Sequence, residues 1–398
     1  MPTQLSDAYA LLRTFLTALG PAGDVAGRAE EIVANIGTSN GSIWQQLVGE
    51  TDYHGLTLLM TPIVAARLKT SPGVISDDGR RSFLALASRH RQLNVIREAA
   101  IDRLLTAFAA ADVQIILLKG AALAHLIYPS PELRPMVDID ILIDPHDAEA
   151  AVRIASDLGY AFASRHPSKS AGRLHHIPAG EITQSGFRIF LEIHVEAMNL
   201  DQPRRLSFSN LASKPKPFDR GAGPQGLALG HTDMLRHLAG HAFDPAHRIR
   251  LIHLYDLWRY QAIFRDAIDW REIEARFGYV VTVLRLVSQV FSGAQAPAEA
   301  GPVPAGLGLG MIPLSDIAAS DMSMREKFDA IFSPPAWWLH GFYGVPPEQS
   351  LWMCRTVRHP ATLVRWSLAR AAGLAGFAGD WSWIETFNRR PGGQGESQ

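Results

Sequence analysis

The sequence predicts an α+β fold in which a small mixed β-sheet core is flanked by N- and C-terminal helical regions, and three observations predict it. Residues 1 to about 110 repeat apolar positions at helical spacing. From Val113 short β-branched and alternating runs are interleaved with helical stretches, the order expected of a small sheet with helices packed on it. Beyond about residue 200 helical spacing returns, broken by Pro- and Gly-bearing segments. A chain of 398 residues is long enough for two or three domains and a sizeable core.

Helical spacing is clearest in DAYALLRTFLTAL, SIWQQLVGE and FLALASRHRQLNVIREAAIDRLLTAFAAA, with breaks at Ser71-Pro72-Gly73 and Asp77-Asp78-Gly79. VQIILLKG reads as a short strand ending at a glycine, and AALAHLIY resumes the helical pattern. After Pro129, Pro131 and Pro135, VDIDILID alternates in its first half as a strand does. DAEAAVRIASDLGY reads as an amphipathic helix closed by Gly159, and RIFLEIHVEA (188–197) as another alternating strand. SKPKPFDRGAGPQG (213–226) reads as a loop or linker, followed by helices in HTDMLRHLAGHAF and RLIHLYDLWRYQAIF. GAQAPAEAGPVPAGLGLG (293–310) reads as an extended link before an aromatic-rich helical end. The expected division is 1–110 helical, 111–200 α/β core, 201–292 helices closing the cleft, 293–321 link and 322–398 C-terminal helical segment.

Composition narrows the partners. Hydrophobic residues make up 47% and charged residues 19%, and the net charge is −1, so no global field draws in nucleic acid and a long nucleic acid is not an expected partner. Cys354 is the single cysteine, which excludes a disulfide framework and a zinc site built on several thiolates, and fits a cytoplasmic protein. MPTQLSDAYALLRTFL has neither the basic start nor the apolar run of a secretion signal, and no stretch reaches the roughly 18 apolar residues of a spanning helix. The nearest, LVRWSLARAAGLAGFAG (363–379), contains Arg365 and Arg370; a packed helix is preferred over peripheral contact with a membrane or partner.

The chemistry is concentrated in VDIDILI. Alternation puts Asp138 and Asp140 on one face of the strand and Val137, Ile139 and Ile141 on the other. Two residues of rise separate the aspartates by about 6.6 Å, close enough for both to lean toward one hard cation such as Mg²⁺ (or Mn²⁺), which would relieve their repulsion. Upstream, Lys119, Gly120 and Ala121 lie where an apolar run gives way to a helix, so backbone N–H groups and an ammonium could receive a phosphate there. Arg134, just before the aspartate strand, could reach the same phosphate. On the later strand Glu192, His194 and Glu196 share a face, and Glu192 is the best candidate for a third acid. Three such carboxylates suit two-metal phosphoryl transfer, in which positioning and charge supply most of the catalysis.

LLKGAALAHLIYPSPELRPMVDIDILIDPHDAEAAVRIASDLGYAF resembles the uncharacterised bacterial nucleotidyltransferases of the polymerase-β superfamily: a Lys-Gly turn, a helix, an arginine loop, an Asp-x-Asp strand and a helix ending in Gly-Tyr. LEIHVE is similar to that family's acidic-x-His strand, and the helices around HTDMLRHLAGHAF and RIRLIHLYDLW, with Asp256, are similar to its downstream helices. The likeness covers roughly residues 30–265 and is strongest across 117–162. It implies a nucleotidyltransferase core in which Asp138, Asp140 and Glu192 are catalytic and hold the metal, Gly120 belongs to the phosphate turn, and an NTP is the donor. Gly120-Ala121 departs from the superfamily's usual Gly-Ser, which removes a hydroxyl contact to phosphate, and the distance from Gly120 to Asp138 exceeds that in minimal members.

Other features carry less. A structural role is preferred for His237 and His241, spaced i, i+4 without the glutamate of a zinc-protease motif. His175 and His176 are secondary candidates for touching an acceptor, GLGLGM (306–311) lacks a following helix or basic residue, and the tryptophan pairs at 337–338 and 381/383 read as core or interface. Asp256, in the apolar helix LIHLYDLW, needs a partner if buried, and Arg248 or Arg250 is the expected one. The expected activity is transfer of an NMP from an NTP to an unidentified acceptor: a small molecule, a peptide or protein, or an RNA end. The alternatives are a non-catalytic nucleotide- or partner-binding member of the same fold, and transfer of a phosphoryl or sugar group.

Overall fold

The computed structural model describes residues 7–21, 23–36, 41–71, 73–163, 176–198, 205–221, 223–245, 249–291 and 323–371. Five helices come first: α1 (Asp7–Leu19), α2 (Val25–Ile36), α3 (Gly41–Tyr53), α4 (Thr57–Thr70) and α5 (Asp77–Ala110). α4 buries residues around most of its circumference and carries Pro62 inside, so no single apolar face marks it in the sequence. The break at Asp77-Asp78-Gly79 is a helix start. Ser76 Oγ accepts the Gly79 N–H at 3.1 Å, and the two aspartates sit at the positive end of the helix dipole. The 34 residues of α5 make a strut about 50 Å long.

A seven-stranded mixed sheet follows, with order β3-β4-β5-β2-β1-β7-β6. β2 (Ile139–Leu142) lies at its centre, parallel to β5 (Phe187–His194) and antiparallel to β1 (Ile116–Leu117). Ile116, Leu117, Ile139, Ile141, Leu191 and Ile193 are fully buried, and each such side chain contributes about 1.5–3 kcal/mol by leaving water. Between these strands lie α6 (Lys119–Leu126) and α7 (Ala148–Asp157), the latter terminated by Gly159 at φ 97° with the Tyr160 N–H returning to the Ala155 carbonyl.

Four strands lie outside the runs that the sequence marks. β3 (Ala161–Phe162) pairs with β4 (Gly180–Gln184), and β4 turns into β5 through Ser185-Gly186, both at positive φ as a tight two-residue hairpin requires. Residues 213–226, expected to be a loop or linker, instead supply β6 (Lys216–Phe218) and lead into β7 (Gly226–Ala228), which joins the sheet beside β1. Pro217 is tolerated because β6 is the outer strand, where a missing N–H need not break the ladder.

The downstream helices are α8 (His231–Ala242), α9 (Leu251–Ile263), α10 (Trp270–Arg276), α11 (Gly278–Phe291), α12 (Met324–Phe332), α13 (Ala336–Tyr343) and α14 (His359–Ala371). Trp337 and Trp338 are core residues, and Trp338 stacks on Phe342 at 4.6 Å. The Trp381/Trp383 pair, GLGLGM and the 293–321 link lie outside the described residues. No helix of the described residues is long and apolar enough to cross a membrane. α5 braces the chemistry-bearing segments: Asn94 donates to the Glu132 carbonyl and Arg97 to the Val137 carbonyl, both at 2.9 Å. One turn on, Glu98 accepts from His125 on α6 at 3.0 Å and from Arg220 beside β6 at 2.5 Å.

Candidate metal centre

The pairing of β2 with β5 makes the site. Asp140 is in register with Glu192, and Leu142 with His194, so the polar residues of two adjacent parallel strands emerge on one face. His194 Nε2 lies 2.8 Å from Asp140 Oδ1 and 3.3 Å from Glu192 Oε2. One ligand atom from each of Asp140, Glu192 and His194 falls within 4.8 Å of the others, a group able to hold a metal ion. Two carboxylate oxygens and an imidazole nitrogen suit Mg²⁺, Mn²⁺ or a borderline cation, with the all-oxygen preference of Mg²⁺ served by the two acids.

Lys119 enters from the start of α6. Its Nζ donates to Asp140 Oδ1 at 2.7 Å, so the ammonium lies on the carboxylate rather than standing free for a phosphate. The turn that delivers it is strained: Lys119 has φ 43°, a left-handed conformation that a residue with a Cβ adopts at a cost of order 1–3 kcal/mol. Gly120 and Ala121 are buried. The glycine is required by packing, since a Cβ there would stand 2.8 Å from Met136 Cγ and 3.5 Å from an Arg134 nitrogen. Gly120→Val is therefore expected to cost about 1–3 kcal/mol, read as a lower urea midpoint.

Asp138 stands slightly apart. It occupies a bend just ahead of β2, outside the group of three ligand atoms, and lines a cleft of about 210 Å³ with Val137, Ala179, Phe190 and Glu192. Of the expected trio of Asp138, Asp140 and Glu192, the group of ligand atoms holds Asp140 and Glu192 and adds His194. Electrostatics separates the acids. Burial raises the Asp138 carboxyl to about 7, and repulsion from Asp140 and Glu192 adds to it. For Asp140 burial is outweighed by the Lys119 charge and the His194 hydrogen bond, which hold it below the usual carboxylate range. Glu192 is likewise held low against burial by His194, His176 and Lys119. His194 in turn is raised, the hydrogen bonds to Asp140 and Glu192 exceeding the cost of burial.

Sequence reasoning did not single out Arg97, and it gave Arg250 a different place. Arg97 on α5 is 3% exposed, with Nε lacking a partner among the described residues, and its positive charge is felt by Asp138, as is that of Arg250. No motif marks either, because each reaches the site only through packing of a distant helical region. His176 packs edge-on to His194 at 5.6 Å; His175 lies outside the described residues. His237 is buried behind the cluster, and burial, with Lys119 and His194 near, lowers it to about 3, so it is neutral. His241 lies 6.1 Å from it, ring to ring.

Arg134 does not face the cleft as a free phosphate ligand. Its guanidinium grips Asp256 with Nε and Nη2 at 2.9 and 2.8 Å from Oδ2, while Tyr128 donates to Asp256 Oδ1 at 2.6 Å. Among the described residues Arg134, rather than Arg250, is therefore the charged partner of Asp256; Arg248 lies outside them. The buried ion pair ties the loop ahead of Asp138 to α9. Arg259 of α9 adds two donations to the Ile127 carbonyl at 2.9 and 2.5 Å.

No curated protein matches the chain. A family model described as "Uncharacterised nucleotidyltransferase" matches residues 42–279, which span the sheet, the three-residue centre and the helices on either side. Because that match takes in more than half of the 398 residues, the chain belongs to this family of uncharacterised nucleotidyltransferases.

Proposed function

We propose that the protein transfers a nucleoside monophosphate from an NTP to an acceptor, with Mg²⁺ or Mn²⁺ as the cofactor. The observation that carries this reading is the register pair Asp140–Glu192, with His194 bridging their oxygens, in a chain of a nucleotidyltransferase family. Asp140, Glu192 and His194 would hold the cation, with Asp138 facing it from the cleft. A bound divalent cation supplies charge neutralisation and Lewis acidity at the transferred phosphoryl group. Asp138, the acid with the raised pKa, would take the proton of the attacking acceptor hydroxyl. Arg97 and Arg250 lend positive charge on the Asp138 side for the phosphates. Lys119, which lies on Asp140 beside Gly120 and Ala121, would supply positive charge to a phosphate oxygen there.

The test is incubation of the purified protein with Mg²⁺, each α-³²P-labelled NTP and a cell extract as acceptor source, beside an Asp138→Asn/Asp140→Asn control. Label on a product with the wild type alone supports nucleotidyl transfer, and release of pyrophosphate rather than nucleoside diphosphate separates it from phosphoryl or sugar transfer. One observation favours a second reading: Lys119 already neutralises Asp140, as it would in a non-catalytic nucleotide-binding member. Nucleotide binding without transfer of label from any NTP would select that reading.

The acids also predict a pH dependence. The Asp138 carboxyl is raised from 3.8 to about 7, so the folded state keeps a proton that the unfolded chain releases. Its contribution to stability is present below about pH 4 and is lost as pH rises through about 7. Divalent cations compete with that proton, so the apparent metal affinity is expected to rise with pH up to about 7 and then level, with stabilisation by Mg²⁺ following the same course. Calorimetric titration and thermal unfolding at pH 5.5 to 8 check both.

A further inference from the structure

The C-terminal helical segment has two unlike sides. Cys354, His359, Leu363 and Trp366 are buried against the protein, and the π-turn over Cys354–Arg358 supplies the five-residue step that keeps the first two on one side. Met353, Val357, Ala361, Val364 and Leu368 follow one another at steps of four, four, three and four residues and are all exposed, Val364 at 60% and Leu368 at 66%. Trp352 stands at the head of this stripe at 66%. α12 meets the same segment where His359 Nε2 donates to the Ile331 carbonyl at 2.8 Å, and it adds exposed Met324, Phe328 and Phe332. Single exposed apolar residues are ordinary, but a run of them along one helix marks a surface meant to be covered.

Charge identifies what covers it. Between Leu351 and Ala371 the chain has Arg355, Arg358, Arg365 and Arg370 and no acidic residue, in a protein whose net charge is −1. Arg355, Arg358 and Arg365 are exposed beside the stripe. An acyl layer beneath anionic headgroups accepts both the aliphatic Met353–Leu368 stripe and the arginines beside it, with exposed Trp352 suited to the headgroup boundary. We propose that this face rests on an anionic lipid surface, with the Met353–Leu368 stripe at the acyl boundary and the arginines on the lipid phosphates.

The test is flotation of the full chain with vesicles of phosphatidylglycerol and phosphatidylcholine, against vesicles of phosphatidylcholine alone. Binding is expected to the anionic vesicles only and to weaken with salt. Each surface arginine contributes about fivefold, so Arg355→Gln should weaken binding by that factor, and Val364→Asp/Leu368→Asp should abolish it. Both substituted side chains are exposed, so an unchanged thermal midpoint is expected to show that the fold survives. Absence of anionic-vesicle binding, equal binding to neutral vesicles or full binding by the double variant would each overturn the proposal. So would a dimer of the wild type that the double variant converts to monomer, or retention of short RNA in place of vesicles.

Discussion

Asp140→Asn is expected to lower nucleotidyl transfer by roughly three orders of magnitude or more while leaving the protein folded. The carboxylate is 2% exposed and accepts both the Lys119 ammonium at 2.7 Å and His194 Nε2 at 2.8 Å. Asparagine keeps the volume and one acceptor oxygen but removes the negative charge that any cation shared with Glu192 would need. The measurement is transfer of α-³²P label by the variant beside the wild type, with nucleotide binding followed in parallel. Asp138→Asn should behave differently: nucleotide binding should persist while transfer falls, because that acid sits at the cleft and outside the three-residue centre. Transfer by Asp140→Asn within tenfold of the wild type would remove Asp140 from the chemistry altogether.

Asp256→Ala is expected to be the most damaging substitution for stability, costing about 3–5 kcal/mol. It would strand the Arg134 guanidinium and the Tyr128 hydroxyl, both buried and both now satisfied by that one carboxylate. Urea unfolding should show a lower midpoint with little change of slope. Combining Asp256→Ala with Arg134→Met should recover part of the loss, because most of the penalty comes from the uncompensated charge rather than from the missing pair. If the single substitution costs less than about 1 kcal/mol, the buried pair is not what anchors the loop ahead of Asp138.

The centre of the molecule was the most legible part of the sequence. VDIDILI and LEIHVE alternate so regularly that the inward face of Asp140, and that shared by Glu192 and His194, follows from the two-residue period of a strand, while Asp138, expected beside Asp140, lies in the bend ahead of β2. The outer strands were less legible. β6 hides among Pro215, Pro217 and Gly221, residues that argue against a strand except at a sheet edge, and β4 and β5 are separated only by Ser185-Gly186. The expected activity and site residues came from local patterns and a family resemblance; the site's long-range partners left no such pattern.

By itself, then, the sequence determined which residues could do chemistry: local periodicity decides which side chains share a strand face, and that face carries the acids. Tertiary structure decided their company. Asp140 faces Glu192 because β2 pairs in parallel with β5, a register between residues some fifty positions apart that neither strand specifies alone. Lys119 reaches Asp140, and Arg134 turns away to Asp256, because a buried charge must find its counter-charge within a few ångströms, and only the packing of α6 and α9 against the sheet says which one is near.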